Sequence, residues 1–154
     1  MITLSPDSRQ AVVRIKNIKK LTLAGIEHAW YTSGIGLIKA TSKEILRKPK
    51  SGITYLIRNK AGRTRRHVAS APGETHADLT GALRKSLSFK VKKHQLEFGY
   101  GITKNDAPDY ANIEFGRTGV AARPSLRNGI KDQSRNIEIN FKREFGKRLG
   151  DRIK

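Results

Sequence analysis

The stretch that decides the reading is YANIEFGRTGVAARPSLRNGI, residues 110–130. Tyr110, Ile113 and Phe115 place apolar groups on a short element, Gly116 and Gly119 permit a tight turn around Arg117 and Thr118, and Pro124 pre-sets the φ of a new helix. The pattern predicts a docked anchor, a reversal and a helix start. Glu114 is the one acid of the stretch and stands among Arg117, Arg123 and Arg127, so an internal carboxylate–guanidinium pair is expected to fix the turn. With no second acid, histidine or cysteine in the stretch, Glu114 has few catalytic options.

Beyond Pro124, Leu126, Ile130, Ile137, Phe141, Phe145 and Leu149 recur mostly in steps of four and predict a helix to about Leu149. Upstream, residues 102–109 read as a polar loop, and before it the period is two. Leu87, Phe89 and Val91, then Leu96, Phe98 and Tyr100, predict two antiparallel strands joined at Lys93, His94 and Gln95. A short helix capped by Asp78 or Thr80 precedes them, with Leu79, Leu83 and Leu87 on one face and Arg84 and Lys85 pointing away. Ala71, Pro72 and Gly73 break the chain before that helix.

Ile53, Tyr55 and Ile57 alternate with Thr54, Leu56 and Arg58, residues 59–62 supply a turn, and residues 64–68 return: a hairpin. Arg58, Lys60, Arg63, Arg65 and Arg66 put five bases into nine residues. A solvated loop is one reading; contact with DNA phosphates or an acidic protein surface is the other, and both stay open.

Ser5, Pro6 and Asp7 make a helix start, and Val12, Ile15, Ile18, Leu23, Ile26, Trp30, Leu37 and Ile45 recur near helical spacing up to the boundary before Pro49. Unbroken, such a helix is about 63 Å long, more than a domain of this size covers, so part of it must project or meet a neighbour. Gly25, Gly34 and Gly36 each weaken it by roughly 1 kcal/mol relative to alanine, and a bend or break is expected at residues 33–36. Trp30 reads as core or as a subunit contact.

The fold class expected is α+β, with a long N-terminal helix and a C-terminal helix packed on a small antiparallel sheet. One domain is expected over residues 1–154: the long helix (1–49), the basic hairpin (50–68), the short helix, strands and turn (69–122), and the C-terminal helix (123–154).

The charge is +19, from 32 Lys and Arg against 13 Asp and Glu, and it is spread along the chain. Such an excess calls for an anionic partner, nucleic acid or an acidic protein face. There is no cysteine, hence no disulfide and no thiolate metal site. No run approaches the roughly 20 apolar residues of a membrane span, so no membrane partner is expected. His28, His67, His76 and His94 lack paired ligand spacing. GYGITKND from Gly99 lacks the rest of a dinucleotide fingerprint, and the LTG at residues 79–81 lacks the rest of a phosphate loop. His76 and Asp78 have no activated nucleophile nearby, and no acids cluster to hold Mg²⁺. The expectation is a protein that is not an enzyme and has no cofactor.

Two blocks carry a resemblance. YANIEFG followed by ARPSLRNGI resembles the signature of the tail-completion family of long-tailed bacteriophages, the lambda minor tail protein Z-like head-tail joining proteins. These carry Y-A-x-x-x-E-F-G and then A-R-P-x-L-R; here the acid comes one place sooner after the Tyr-Ala pair. ASAPGETHADLTGALRKSLSFKV, residues 69–91, is similar to that family's proline-glycine loop, T-G-x-L-R-x-S helix and strand. The matched positions are Gly81, Leu83, Arg84 and Ser86 in one block, and Tyr110, Ala111, Glu114, Phe115, Gly116, Ala122, Arg123, Pro124, Leu126 and Arg127 in the other. The resemblance covers residues 69–130, about half the chain. Ser125, where the family has a large apolar residue, and Gly129, where it has proline or alanine, are departures that bear on how tightly the last helix docks.

The resemblance implies a non-enzymatic virion protein of the neck, made in the host cytoplasm. It implies a homo-oligomeric ring, six-fold to match a tail, that joins head to tail and contacts connector or stopper and tail-terminator or tail-tube proteins. Genomic double-stranded DNA would pass through it without base readout. On this reading the long first helix makes subunit contacts, the matched residues define the fold before they form interfaces, and part of the charge meets acidic faces on neighbours. The alternative is a stand-alone basic nucleic-acid-binding protein whose affinity falls steeply with salt.

Overall fold

The computed structural model describes residues 6–47, 50–58, 60–78, 80–101, 112, 114–119 and 121–149. Tyr110, Ala111, Ile113, Leu79 and the loop at 102–109 lie outside the described residues.

Helix α1 (Pro6–Leu46) runs unbroken through Gly34 and Gly36. The break expected at 33–36 does not occur, because these glycines are places of close approach. A Cβ on Gly34 would come within 2.5 Å of the Phe89 ring, and one on Gly36 would lie 3.0 Å from Gln133 Oε1. The neighbours that fill those gaps offset the cost of glycine in a helix interior.

Hairpin β1 (Thr54–Arg58) and β2 (Thr64–Val68) forms one antiparallel sheet; β3 (Leu87–Lys92) and β4 (Gln95–Tyr100) form another. The strands are therefore divided between two small sheets. Short helix α2 (Ala82–Ser86) leads directly into β3, and the last element is α3 (Ser125–Leu149). The architecture is α+β.

In the second sheet, Leu87 faces Tyr100, Phe89 faces Phe98 and Val91 faces Leu96. These pairs share one side because strand side chains alternate. The β3–β4 connection is only Lys93 and His94, both with left-handed backbone (φ 46° and 65°). A type I′ two-residue turn needs that geometry at both positions, which glycine or asparagine usually supplies. Trp30 steadies it by donating its indole N–H to the His94 carbonyl at 2.5 Å, while its ring meets Phe141 edge-on at 4.7 Å.

Ile45, Leu83 and Leu87 form the buried cluster, with Ile38, Phe98, Tyr100 and Leu126 around it. α3 lies antiparallel along α1: Gly25 meets Arg148, Ser33 meets Asn140, Gly36 meets Gln133 and Gly129 meets Thr41. Apart from the Trp30–Phe141 pair, these contacts are small or polar. Asn140 donates to Ser33 Oγ at 3.3 Å, and His28 Nδ1 stands 2.9 Å from the buried Glu144 carboxylate. Ile130, expected on the packed stripe, is exposed. Steps of four advance 400°, so each drifts about 40° off a face of period 3.6. Gly129 takes the inward place instead, and this departure marks the closest helix approach.

Candidate functional site

The two sequence blocks meet around one loop, residues 69–78. Glu74 accepts the Ser51 hydroxyl at 2.5 Å and the Ala71 N–H at 2.9 Å; these hydrogen bonds, the first foremost, hold its carboxyl below the usual range. Thr75 donates to the Glu44 carbonyl at 2.7 Å and accepts from Lys50 Nζ. Gly73 N–H reaches the Ala122 carbonyl, and His76 N–H reaches Ser125 Oγ at 3.1 Å. The loop thus joins the end of α1, the base of the first hairpin and the start of α3.

Glu114 is the second centre. Its carboxylate accepts the N–H groups of Ser125, Leu126 and Arg127 at 2.9, 3.0 and 3.0 Å. These are orphan donors of the first turn of α3, and Pro124 immediately before the helix has no side-chain acceptor to offer them. The expected guanidinium partner is Arg127, whose Nε lies 3.7 Å away and whose Nη2 donates to the Glu114 carbonyl at 3.0 Å. Arg123 instead donates to the Ser70 and Ala121 carbonyls. Phe115, expected as a docked anchor, is 68% exposed, with the Arg127 guanidinium 5.6 Å from its ring centre. Glu114 takes the inward direction of that turn, so its neighbour points out.

The first block forms a matching clasp. Gly81 takes left-handed backbone (φ 81°), and Asp78 accepts the Gly81 N–H at 2.8 Å, the Arg84 N–H at 3.2 Å and Arg84 Nε at 3.1 Å. Thr80 Oγ1 accepts the Ala82 N–H at 3.3 Å. Arg84 therefore turns back on Asp78. Leu83 is core, and Ser86 donates to the Leu83 carbonyl while its own carbonyl accepts the Gly101 N–H.

The five hairpin bases are placed together, but not equivalently. All five are exposed; Arg58 donates to the Gly62 carbonyl across the turn at 3.1 Å, and Arg66 reaches Thr54 Oγ1 at 3.5 Å. The spacing of bases within the hairpin did not reveal the cations that adjoin them. A cleft of about 480 Å³ between β2 and the end of α1 is lined by Arg47, Lys50, Arg65, Arg66 and His67. Lys39, Lys43 and Arg47, four apart and exposed, lead into it along α1. The signal available was the i, i+4, i+8 spacing of those three cations, which places them on one helix face. Burial holds the Lys50 ammonium below its ordinary pKa, partly countered by Glu74.

The acids balance this strip only in part: Glu44 pairs with Arg47 at 3.6 Å and Asp132 lines the same face as Lys39 and Lys43, while others are drawn inside. Glu44, Glu114, Glu144 and the Asp78 carboxylate are buried. Among the described residues no three His, Asp or Glu side chains converge as metal ligands, and no helix is long and apolar enough to cross a membrane. Compared with known proteins, the chain matches no family model, no curated protein and no solved structure.

Proposed function

We propose that this protein is a structural ring component of a long-tailed phage neck, completing the tail and joining it to the DNA-filled head. The observation that carries the proposal is the shape of α1. Its first part, residues 9–20, is exposed at every position, with Val12, Val13, Ile15 and Ile18 among the uncovered groups. A helix that extends past its own core with apolar groups uncovered is a part of something larger. The tail-completion resemblance supplies the identity of that assembly, and the two resembling blocks are the hydrogen-bonded clasps described above. The reading includes a hexameric ring, connector or stopper and tail-terminator or tail-tube proteins as neighbours, and passage of genomic DNA without base readout. Its side chains position and attract; they catalyse nothing.

Mass spectrometry of purified virions tests this, together with a phage carrying a nonsense mutation in the gene. The expected result is protein in the virion, and mutant lysates in which filled heads and normal tails accumulate unjoined. Virions without the protein would end the proposal.

The basic strip from Lys39 to the hairpin favours a second reading, a stand-alone basic nucleic-acid-binding protein. That reading requires tight duplex or RNA binding by the isolated chain, with log K falling by about 0.9 per neutralised phosphate for each tenfold rise in salt on B-DNA.

A further inference from the structure

Ala11, Ile15, Ile18 and Thr22 lie at i, i+4, i+7 and i+11 and share one face of α1. The same ladder continues through Gly25, Ala29, Ser33 and Gly36, the face that receives Arg148, Asn140 and Gln133 of α3. Among the described residues α3 ends, at Leu149, alongside Gly25. The uncovered stripe is thus the α1–α3 seam continued past the end of α3, over about 21 Å from Ala11 to Gly25 at 1.5 Å per residue. Ile15 is 65% exposed and Ile18 is 52% exposed. Arg14 and Lys19 flank them, Arg9, Lys16 and Lys20 lie on the opposite face, and no acid occurs from Ser8 to Ile26.

From this the geometry points to a docking site for an acidic amphipathic helix of a different protein, which takes up the line of α3 on the first part of α1. The inference rests on the neck reading only for the existence of an assembly.

Charge complementarity identifies the occupant. Two copies joined stripe to stripe would bring Arg14 and Lys19 of each against the other, and like-charge juxtaposition across an interface costs several kcal/mol. Among the described residues the other faces offer few acids in compensation. Among the described residues with exposed carboxylates, Glu27 stands by His94, Glu97 by Lys92 and Glu138 by Lys142, and Asp132 adjoins Lys131 in sequence. A lipid surface fits less well. Lying in an interface takes a broad face of Trp, Phe or Leu, whereas residues 9–20 contain none of these and Arg14 and Lys19 flank a narrow stripe. Duplex DNA leaves Ile15 and Ile18 unused, since its phosphates are met by cationic and hydrogen-bonding groups. A helix with apolar groups every three to four residues and glutamates beside them satisfies both features.

The chain has no cysteine, so Gln10→Cys gives a unique fluorophore on the full-length protein. The probe is a synthetic helix of about twenty residues with leucines at i, i+4, i+7 and i+11 flanked by glutamates, a length that spans the stripe. The expected result is saturable binding that weakens as salt rises, is lost when lysines replace the glutamates, and falls at least about tenfold in Ile15→Asp/Ile18→Asp. Both positions are exposed, so thermal melting of the variant should match the parent. Equal binding of the peptide by parent and variant overturns the inference. So does sedimentation showing that the parent self-associates through the stripe and the variant does not, or stripe-dependent binding of phosphatidylcholine–phosphatidylserine vesicles or duplex DNA in preference to the peptide. Virions lacking the protein would remove the neck reading and leave the docking result standing; virions containing it, with no peptide discrimination, would do the reverse.

Discussion

The Glu114 carboxylate, on a residue only 2% exposed, accepts the Ser125 N–H at 2.9 Å and so caps a helix that begins eleven residues later in the chain. Glu114→Ala leaves three first-turn N–H groups without their acceptor inside the protein. The expected loss is about 3 kcal/mol in urea unfolding, and about half that for Glu114→Gln, which keeps one acceptor oxygen.

Gly129 and Gly146 lie on the same helix and should respond in opposite directions to alanine. A Cβ on Gly129 would overlap Thr41 Oγ1 and sit 3.0 Å from the Thr41 Cα and N, so overpacking of about 1–3 kcal/mol outweighs the gain in helix propensity. At Gly146 nothing lies within 4 Å, and Gly146→Ala should stabilise by roughly 0.5–1 kcal/mol. Thermal melts of the two variants check the contrast.

His76 is held below its ordinary pKa, first by burial and then by the Arg123 charge, and its Nδ1 is buried without a hydrogen-bond partner. The unfolded chain therefore takes up this proton at a higher pH than the folded one. Stability from the neutral imidazole is complete above the unfolded value, about 6.5, and is lost as pH falls below it. His76→Gln should flatten the fall in unfolding free energy between about pH 7 and pH 5 relative to the parent.

Leu83 and Ile15 have similar chemistry and opposite surroundings. Leu83→Ala removes a side chain of the buried cluster and should cost about 2–5 kcal/mol. Ile15→Ser changes a largely exposed side chain and should change stability by no more than about 0.5 kcal/mol. Chemical denaturation of both variants measures the difference.

The hairpin predicts a salt effect. Replacing Lys60, Arg63 and Arg66 with serine should weaken duplex binding equally for all sequences and make the salt slope shallower by about 0.9 for every phosphate that is no longer neutralised. Fluorescence titration at several salt concentrations reads both quantities. An unchanged slope would show that these three side chains do not touch DNA.

Much of the fold was legible because local rules decide it. Alternation at Leu87, Phe89 and Val91 and at Leu96, Phe98 and Tyr100 marked the second hairpin, and helical spacing marked both long helices close to their observed limits. The first hairpin was legible for the same reason. The division of the strands into two sheets was not, because which strand meets which is a long-range choice. Gly34 misled on the same ground: a helix former's weakness is visible in sequence, but the Phe89 ring that fills its place belongs to a strand some fifty residues away. At the candidate site, the density of bases at residues 58–66 was plain. Their continuation into Arg47 and Lys50 required the fold of β2 against the end of α1.

The sequence by itself determined the element types, the cationic character and the pairing of Glu114 with an arginine, since periodicity, charge and short-range chemistry are written in adjacent residues. Only the tertiary structure decided that Glu114 caps α3, that Gly129 is where two helices touch, and that Ile15 and Ile18 are left exposed. Each of these depends on where a distant segment comes to rest, and that position follows from the packing of the whole chain.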